Sequence, residues 1–331
     1  MKERNGAMMT SSMIIVVAVV ISAVASFSGG YYLGTMNDEE VIEEADGLTS
    51  IELDDVGNVV SLTITDDYNR TIILPGIPQR IVSIAPTTTE ILFAVGAGDQ
   101  VVGVDDYSDY PAEALTKTCV GSFQLSIETI LSLEPDLIVC GDLVPVDDLE
   151  PLEVQGIPYF VFATRTIDAV LKDIALAGIL TGHVQESEAL LDGLRARVDA
   201  ITEKTLDSSV ETPKVYVEYY PLWTYGPGSF GDDMIRLAGG INIAANTTSE
   251  YPEVTSEFVI SSDPDVIIFT MGVMTTTTAD EISERPGWDQ ITAIADDAIY
   301  SIDDNIVSRY GPRIVDGLEQ LAELIHPELF E

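Results

Sequence analysis

Basic residues are scarce in this chain. Of 331 residues only 15 are Lys or Arg, against 56 Asp plus Glu, for a formal charge of −41. A field of that sign repels phosphate, which excludes nucleic acid and anionic lipid surfaces as partners. The acids are spread along the sequence and form no D-x-D-x-D-G loop. They therefore read as a hydrated, salt-adapted surface rather than a dedicated cation store. Cysteine is nearly absent: Cys119 and Cys140 are too few for a disulfide scaffold and make no zinc pattern with the histidines. Both lie in apolar, strand-like stretches, either paired with each other or as buried free thiols. Histidine is confined to His183 and His326, which read as surface or helix-end residues. A Ser-His-Asp set would have to use one of them, and no G-x-S-x-G elbow exists. Paired acids such as Asp105-Asp106 and Asp303-Asp304 are uninformative at this carboxylate density. No catalytic centre, metal site or resident cofactor is expected.

Long hydrophobic runs are missing except at the start. Lys2 and Arg4 precede an uncharged stretch from Gly6 to Asn37, with an apolar heart from Met13 to Phe27. That length can span a bilayer at ~20 residues, and basic residues before it with acids after it place the N-terminus inside. Residues 1–37 thus read as an uncleaved membrane anchor, or as a signal segment cleaved after Ala25 in Ala23-Val24-Ala25. No Cys lies near enough for a bacterial-type lipid anchor. Residues 38–57, acidic and short of aromatics, read as a stalk, so that everything beyond them faces outside. Asn69-Arg70-Thr71 and Asn246-Thr247-Thr248 match the glycosylation acceptor pattern.

The rest divides into an α/β lobe over 58–166, a helical connector over 167–209 and a second α/β lobe over 210–331. A hairpin is expected from Val59–Thr65 and Thr71–Leu74 around Asp66-Asp67-Tyr68-Asn69, then a strand at Arg80–Ile84. Thr87 and Glu90 have capping-box spacing for a helix that Gly96 and Gly98 stop. Short apolar strands follow at 101–104, Leu137–Cys140 and Tyr159–Phe162, alternating with helical patterns as in a parallel sheet. From Ile167 to Leu206 the apolar residues recur at helical spacing, with Gly182 the one interruption; a helix of this kind would form a stiff strut of about 30 Å.

Ser126–Val139 is echoed 129 positions later by Thr255–Ile268. Each copy has a hydroxyl residue, a Glu two positions on (Glu128, Glu257), a helical turn or two, Pro-Asp and a buried strand. Glycines and a Tyr-Pro pair lie upstream of both copies. Two related lobes joined by a helix, with a ligand cleft between them, are therefore expected. Tyr107, Phe123, Tyr219, Trp223, Tyr251 and Tyr310 fall at strand ends or in the following loops, where parallel α/β folds bind ligands. Their rings suit a large planar ligand, with Arg309 available for an anionic group. Gly226-Pro227-Gly228-Ser229-Phe230-Gly231 literally matches G-x-G-x-x-G. It lies in the second lobe, and Pro227 and Phe230 crowd the phosphate approach, so it reads as a turn.

These residues resemble the class III substrate-binding proteins of ABC importers for cobalamin, ferric siderophores and haem. The resemblance runs from about 61 to 328. It is carried by Asp66-Asp67, Arg80-Ile81-Val82-Ser83, Ala85-Pro86-Thr87-Thr88-Thr89-Glu90, Val102-Gly103-Val104, Tyr107-Ser108-Asp109-Tyr110-Pro111, Glu128 with Pro135-Asp136-Leu137-Ile138, and Gly311-Pro312-Arg313. It implies two Rossmann-like lobes joined by one long helix, and no catalysis. Partners would be a permease with its ATPase, one docking glutamate per lobe falling on Glu128 and Glu257, and the state a monomer. Tyr-Ser-Asp-Tyr-Pro is especially similar to the cobalamin binders, whose pocket positions fall on Pro86, Tyr107, Phe123, Tyr219 and Tyr251; Thr87, Trp223 and Arg309 complete the predicted contacts. Phe123 and Tyr251 stand where those proteins have tryptophans, and Asn305-Ile306 where they have an acid followed by Trp. The ligand implied is a corrinoid, with a ferric siderophore or haem as the alternative. A membrane-anchored sensor or adhesion domain is the reading without transport.

Overall fold

The computed structural model describes residues 48–54, 58–207, 209–272 and 277–330. The expected anchor at 1–37 lies outside the described residues, and among those described no helix is long and apolar enough to cross a membrane. The chain forms two compact units: residues up to Ala163 with Lys172–Leu191, and Thr164–Leu171 with Asp192–Glu331.

In the first unit, β1 (Leu48–Leu53), β2 (Val59–Thr65) and β3 (Thr71–Leu74) make an antiparallel sheet in that order. Ile51 pairs with Leu62, and both are buried. The last part of the predicted stalk is therefore a strand, since its apolar residues find a partner face that composition alone does not reveal. The main sheet contains β4 (Ile81–Ile84), β5 (Val101–Val104), β6 (Thr118–Cys119), β7 (Leu137–Gly141) and β8 (Tyr159–Phe162), all parallel, in the order β6-β5-β4-β7-β8. β4, β7 and β8 are near-continuous apolar runs because both their faces are covered. Helices α1 (Pro86–Ala94), α2 (Ile127–Ser132) and α3 (Val146–Glu153) connect them. The expected Thr87–Glu90 capping box does not form. Ala85 is the extended cap residue with no side-chain bond, and Pro86 takes the first helical position with its φ already set.

Cys119 and Cys140 are free thiols, one exposed and one buried. They sit on β6 and β7, which β5 and β4 separate. Three strand spacings put them about 14 Å apart, twice the reach of a disulfide at ~7 Å.

Two helices follow, α4 (Ile167–Thr181) and α5 (Val184–Thr205). The 22 residues of α5 give about 33 Å of helix. The division between the units falls inside both, after Leu171 and after Leu191.

In the second unit, β9 (Lys214–Tyr220), β12 (Val266–Met271) and β13 (Ile299–Asp303) run parallel, with the short β11 (Ile241–Asn242) parallel to β9 and β10 (Trp223–Thr224) antiparallel to it. Its longer helices are α6 (Phe230–Leu237), α7 (Ser256–Ser262), α8 (Ala279–Ser283) and α9 (Ile314–Ile325). Trp288 and Tyr216 are fully buried in the core of this unit, each worth roughly 1.5–3 kcal/mol of burial.

The internal repeat extends to single bonds. Asp136 accepts the Arg80 amide at 3.0 Å while its own N–H donates to Arg80 O at 3.0 Å. Asp265 does the same with Lys214, at 2.8 Å both ways. The Arg80 and Lys214 side chains then donate to carbonyls at the ends of α2 and α7, Leu133 O and Ser262 O. Gly96 and Gly239, at φ +94° and +80°, end α1 and α6, and each abuts a histidine, His183 and His326 respectively. His326 is a helix-end residue but not a surface one: it is 1% exposed, with Nε2 3.1 Å from Gly239 O. A Cβ at Gly239 would fall 2.7 Å from that nitrogen, so the glycine lets the ring approach the backbone.

Candidate functional site

In the first unit the loops after β4, β5 and β6 gather the predicted contacts. Pro86 and Thr87 open α1, half-buried. Tyr107 follows β5 and Phe123 follows β6; their rings meet edge to face with centroids 5.8 Å apart and remain 51% and 91% exposed. Asp105 and Asp106 hold this pair. Asp105, buried, accepts the Tyr107 N–H at 3.3 Å and the Ser108 hydroxyl. Ser108 continues through Thr89 (2.8 Å) to Ser83 (2.8 Å), a buried hydroxyl chain that ties the loop to α1. Asp106 accepts from Cys119 Sγ at 2.7 Å and Ser122 Oγ at 3.2 Å, fixing the loop that carries Phe123. Sequence gives no sign of this hydroxyl chain, because small polar residues carry no periodic signal.

In the second unit Tyr219, at the end of β9, stands 6.3 Å from Tyr251 and 5.0 Å from Tyr225, with Tyr225 and Tyr251 6.4 Å apart. Burial pushes the Tyr219 hydroxyl up to about 12, with Tyr251 adding to it, so all of its hydrogen-bonding is done as a neutral phenol. Tyr225 is buried and is not among the aromatics expected from sequence. Its signal lies in Gly231, where a Cβ would fall 2.1 Å from its ring. Gly226 is likewise needed because Ser249 O would lie 2.0 Å from a Cβ, and Gly228 has φ +78°. Each glycine of the G-x-G-x-x-G match thus has a local packing or backbone reason. Trp223, half-buried on β10, bridges to Glu253 and is not one of these three contacting rings. Arg309 is half-buried in the loop before α9, next to Tyr310, whose ring stacks on Phe230 at 4.1 Å.

Glu128 and Glu257 occupy the same place in their units. Each is exposed in the first turn of a helix, two residues after an N-cap whose side chain accepts a backbone N–H, Ser126 from Thr129 and Thr255 from Phe258. The helix dipole favours a carboxylate there. Among the described residues no group of His, Cys, Asp or Glu could hold a metal ion.

Each α/β unit thus carries aromatic residues in loops near the carboxyl ends of its parallel strands and an exposed glutamate at the start of a capped helix. Residues 81–306 match the periplasmic binding protein family, and the chain belongs to it. It is 31% identical over 281 residues to an uncharacterized ABC transporter substrate-binding lipoprotein of Bacillus subtilis, covering 82% of this chain and 88% of that one. It is 32% identical over 273 residues to a cobalamin-binding protein of Halobacterium salinarum, covering 80% and 74%. The crystal structure of the periplasmic vitamin B12 binding protein of Vibrio cholerae is similar with a TM-score of 0.66 at 27% identity, over 76% of this chain and 97% of that one.

Proposed function

We propose that this chain is the extracytoplasmic substrate-binding component of an ABC importer, and that it captures a corrinoid and delivers it to the permease. The observation that carries this reading is the duplicated element itself. In each unit an aromatic residue at a loop (Phe123, Tyr251) lies five or six residues before an exposed first-turn glutamate (Glu128, Glu257). The aromatics, with Tyr107, Tyr219 and Trp223, offer flat apolar area at little side-chain entropy cost to a large ring system. Pro86, Thr87 and Arg309 are assigned to its rim and polar substituents. The glutamates suit bidentate pairing with arginines of a permease. No bond is made or broken: the cycle is capture, docking and release. The chain works as a monomer held at the outer face of the membrane by its N-terminal segment.

Calorimetric titration tests this. Because β1 belongs to the fold, the soluble form should begin before Leu48. Cyanocobalamin should release heat in a saturable manner, and Glu128→Ala with Glu257→Ala should bind it unchanged while supporting no uptake in cells. Heat with a ferric siderophore and none with cyanocobalamin would move the ligand to iron chelates and keep the importer. Lost binding in the double variant would contradict the docking assignment.

A further inference from the structure

The second unit contains a buried charge to which neither ligand contact nor docking has been assigned. Glu218 on β9 has a side chain 2% exposed, and Arg285, just after α8, one 18% exposed. The guanidinium meets both carboxylate oxygens, at 2.7 and 2.6 Å. Oε2 also accepts from the Tyr216 hydroxyl at 2.9 Å and the Leu222 N–H at 3.0 Å. The Arg285 guanidinium carbon lies 4.6 Å from the Trp288 ring centre, so the cation is held on its face as well as at its tips. A buried pair of this kind adds little stability over apolar residues of the same volume. What its satisfied bonds provide is geometry.

That geometry acts at Leu222. Its φ is +63°, a region L-residues with side chains avoid, so the backbone there needs an external hold. From Leu222 a short ladder follows. Its carbonyl accepts Val254 N–H at 2.7 Å, Thr224 N–H reaches Pro252 O at 3.1 Å, and Gly226 N–H reaches Glu250 O at 2.7 Å. The segment 250–254 laid down in this way carries Tyr251 and leads directly into the Thr255 cap, two residues before Glu257.

We infer that Glu218 and Arg285 are positioning residues that fix, through Leu222, the segment of the second unit that bears the ligand aromatic Tyr251 and leads into the docking carboxylate Glu257. The roles of Tyr251 and Glu257 in this inference rest on the reading under Proposed function; neither Glu218 nor Arg285 need touch ligand or permease.

Two double variants of the full-length protein separate this role from plain stabilisation. Glu218→Leu with Arg285→Met removes the acceptor for Leu222. It should bind cyanocobalamin about tenfold more weakly, the loss of one well-made contact, and its Leu222 and Val254 amides should exchange faster with deuterium. Glu218→Gln with Arg285→Met keeps an amide oxygen for Leu222 and should restore most of both. A pair that is only structural would shift the melting temperature of the two variants alike and leave affinity and those amides as in the parent, which would overturn the inference. If the apolar variant does not fold, the parent decides: Leu222 and Val254 amides protected to the level of the β9 strand support it, and exchange at open-loop rates overturns it. A parent that takes up no cyanocobalamin would remove the ligand reading, and the exchange comparison would still decide the role of the pair.

Discussion

Cys119 and Cys140 show how far one residue type can diverge within one sheet. Burial pushes the Cys140 thiol up to about 12. The Cys119 thiol is also raised, first by its hydrogen bond to the Asp106 carboxylate. The thiolate is the reactive form. At pH 8 iodoacetamide should therefore label Cys119 alone in the native protein, slowly, and Asp106→Asn should speed the labelling; equal labelling of Cys140 would contradict the burial. Cys140 also ties stability to pH. Its folded pKa lies above the ordinary 9.0, so its contribution to stability is whole below that value and is lost as pH rises toward 12. The residue types are legible in the sequence, but the pairing question is not, because strand order decides it. The G-x-G-x-x-G match is the same lesson: the glycines are visible, while their reasons, the Ser249 carbonyl and the Tyr225 ring, come from distant parts of the unit.

Among the elements, those whose cause is local are legible in the sequence. The β2–β3 hairpin, the doubly buried β4 and β7, and the α4–α5 helices follow from alternation, apolar runs and helical spacing. The hydroxyl caps of α2 and α7 are visible for the same reason, since a cap bonds within three residues. Ser126→Ala and Thr255→Ala should each lower stability by ~1 kcal/mol, measured as a shift in denaturant midpoint. An unchanged midpoint would mean these caps are replaced by water. The α1 cap departs from expectation because Thr87 and Glu90 satisfy the pattern while Pro86 already supplies the first turn. β1 hides within a stalk-like composition because a lone short strand has no signal until its partner is known.

The whole molecule carries a formal charge of −41. Like charges spread over the surface oppose compaction, and salt shortens their reach from about 10 Å at 0.1 M to about 3 Å at 1 M. The melting temperature should climb as NaCl is raised from roughly 0.1 to 2 M in scanning calorimetry; a flat or falling profile would mean the acids are balanced locally. In the proposed docking, the same screening would weaken the long-range pull of Glu128 and Glu257 on permease arginines, so that shape would carry much of the contact.

Sequence by itself determined the α/β class, the internal repeat, the acidic surface and the two glutamates, because each is set by period, composition or a cap a few residues long. Only the tertiary structure decided that Cys119 and Cys140 stand apart, that His326 is buried, that Tyr225 joins Tyr219 and Tyr251, and that Glu218 meets Arg285. Those depend on which strands become neighbours and what fills the space between them, and packing of that kind is settled by contacts between residues far apart in the chain.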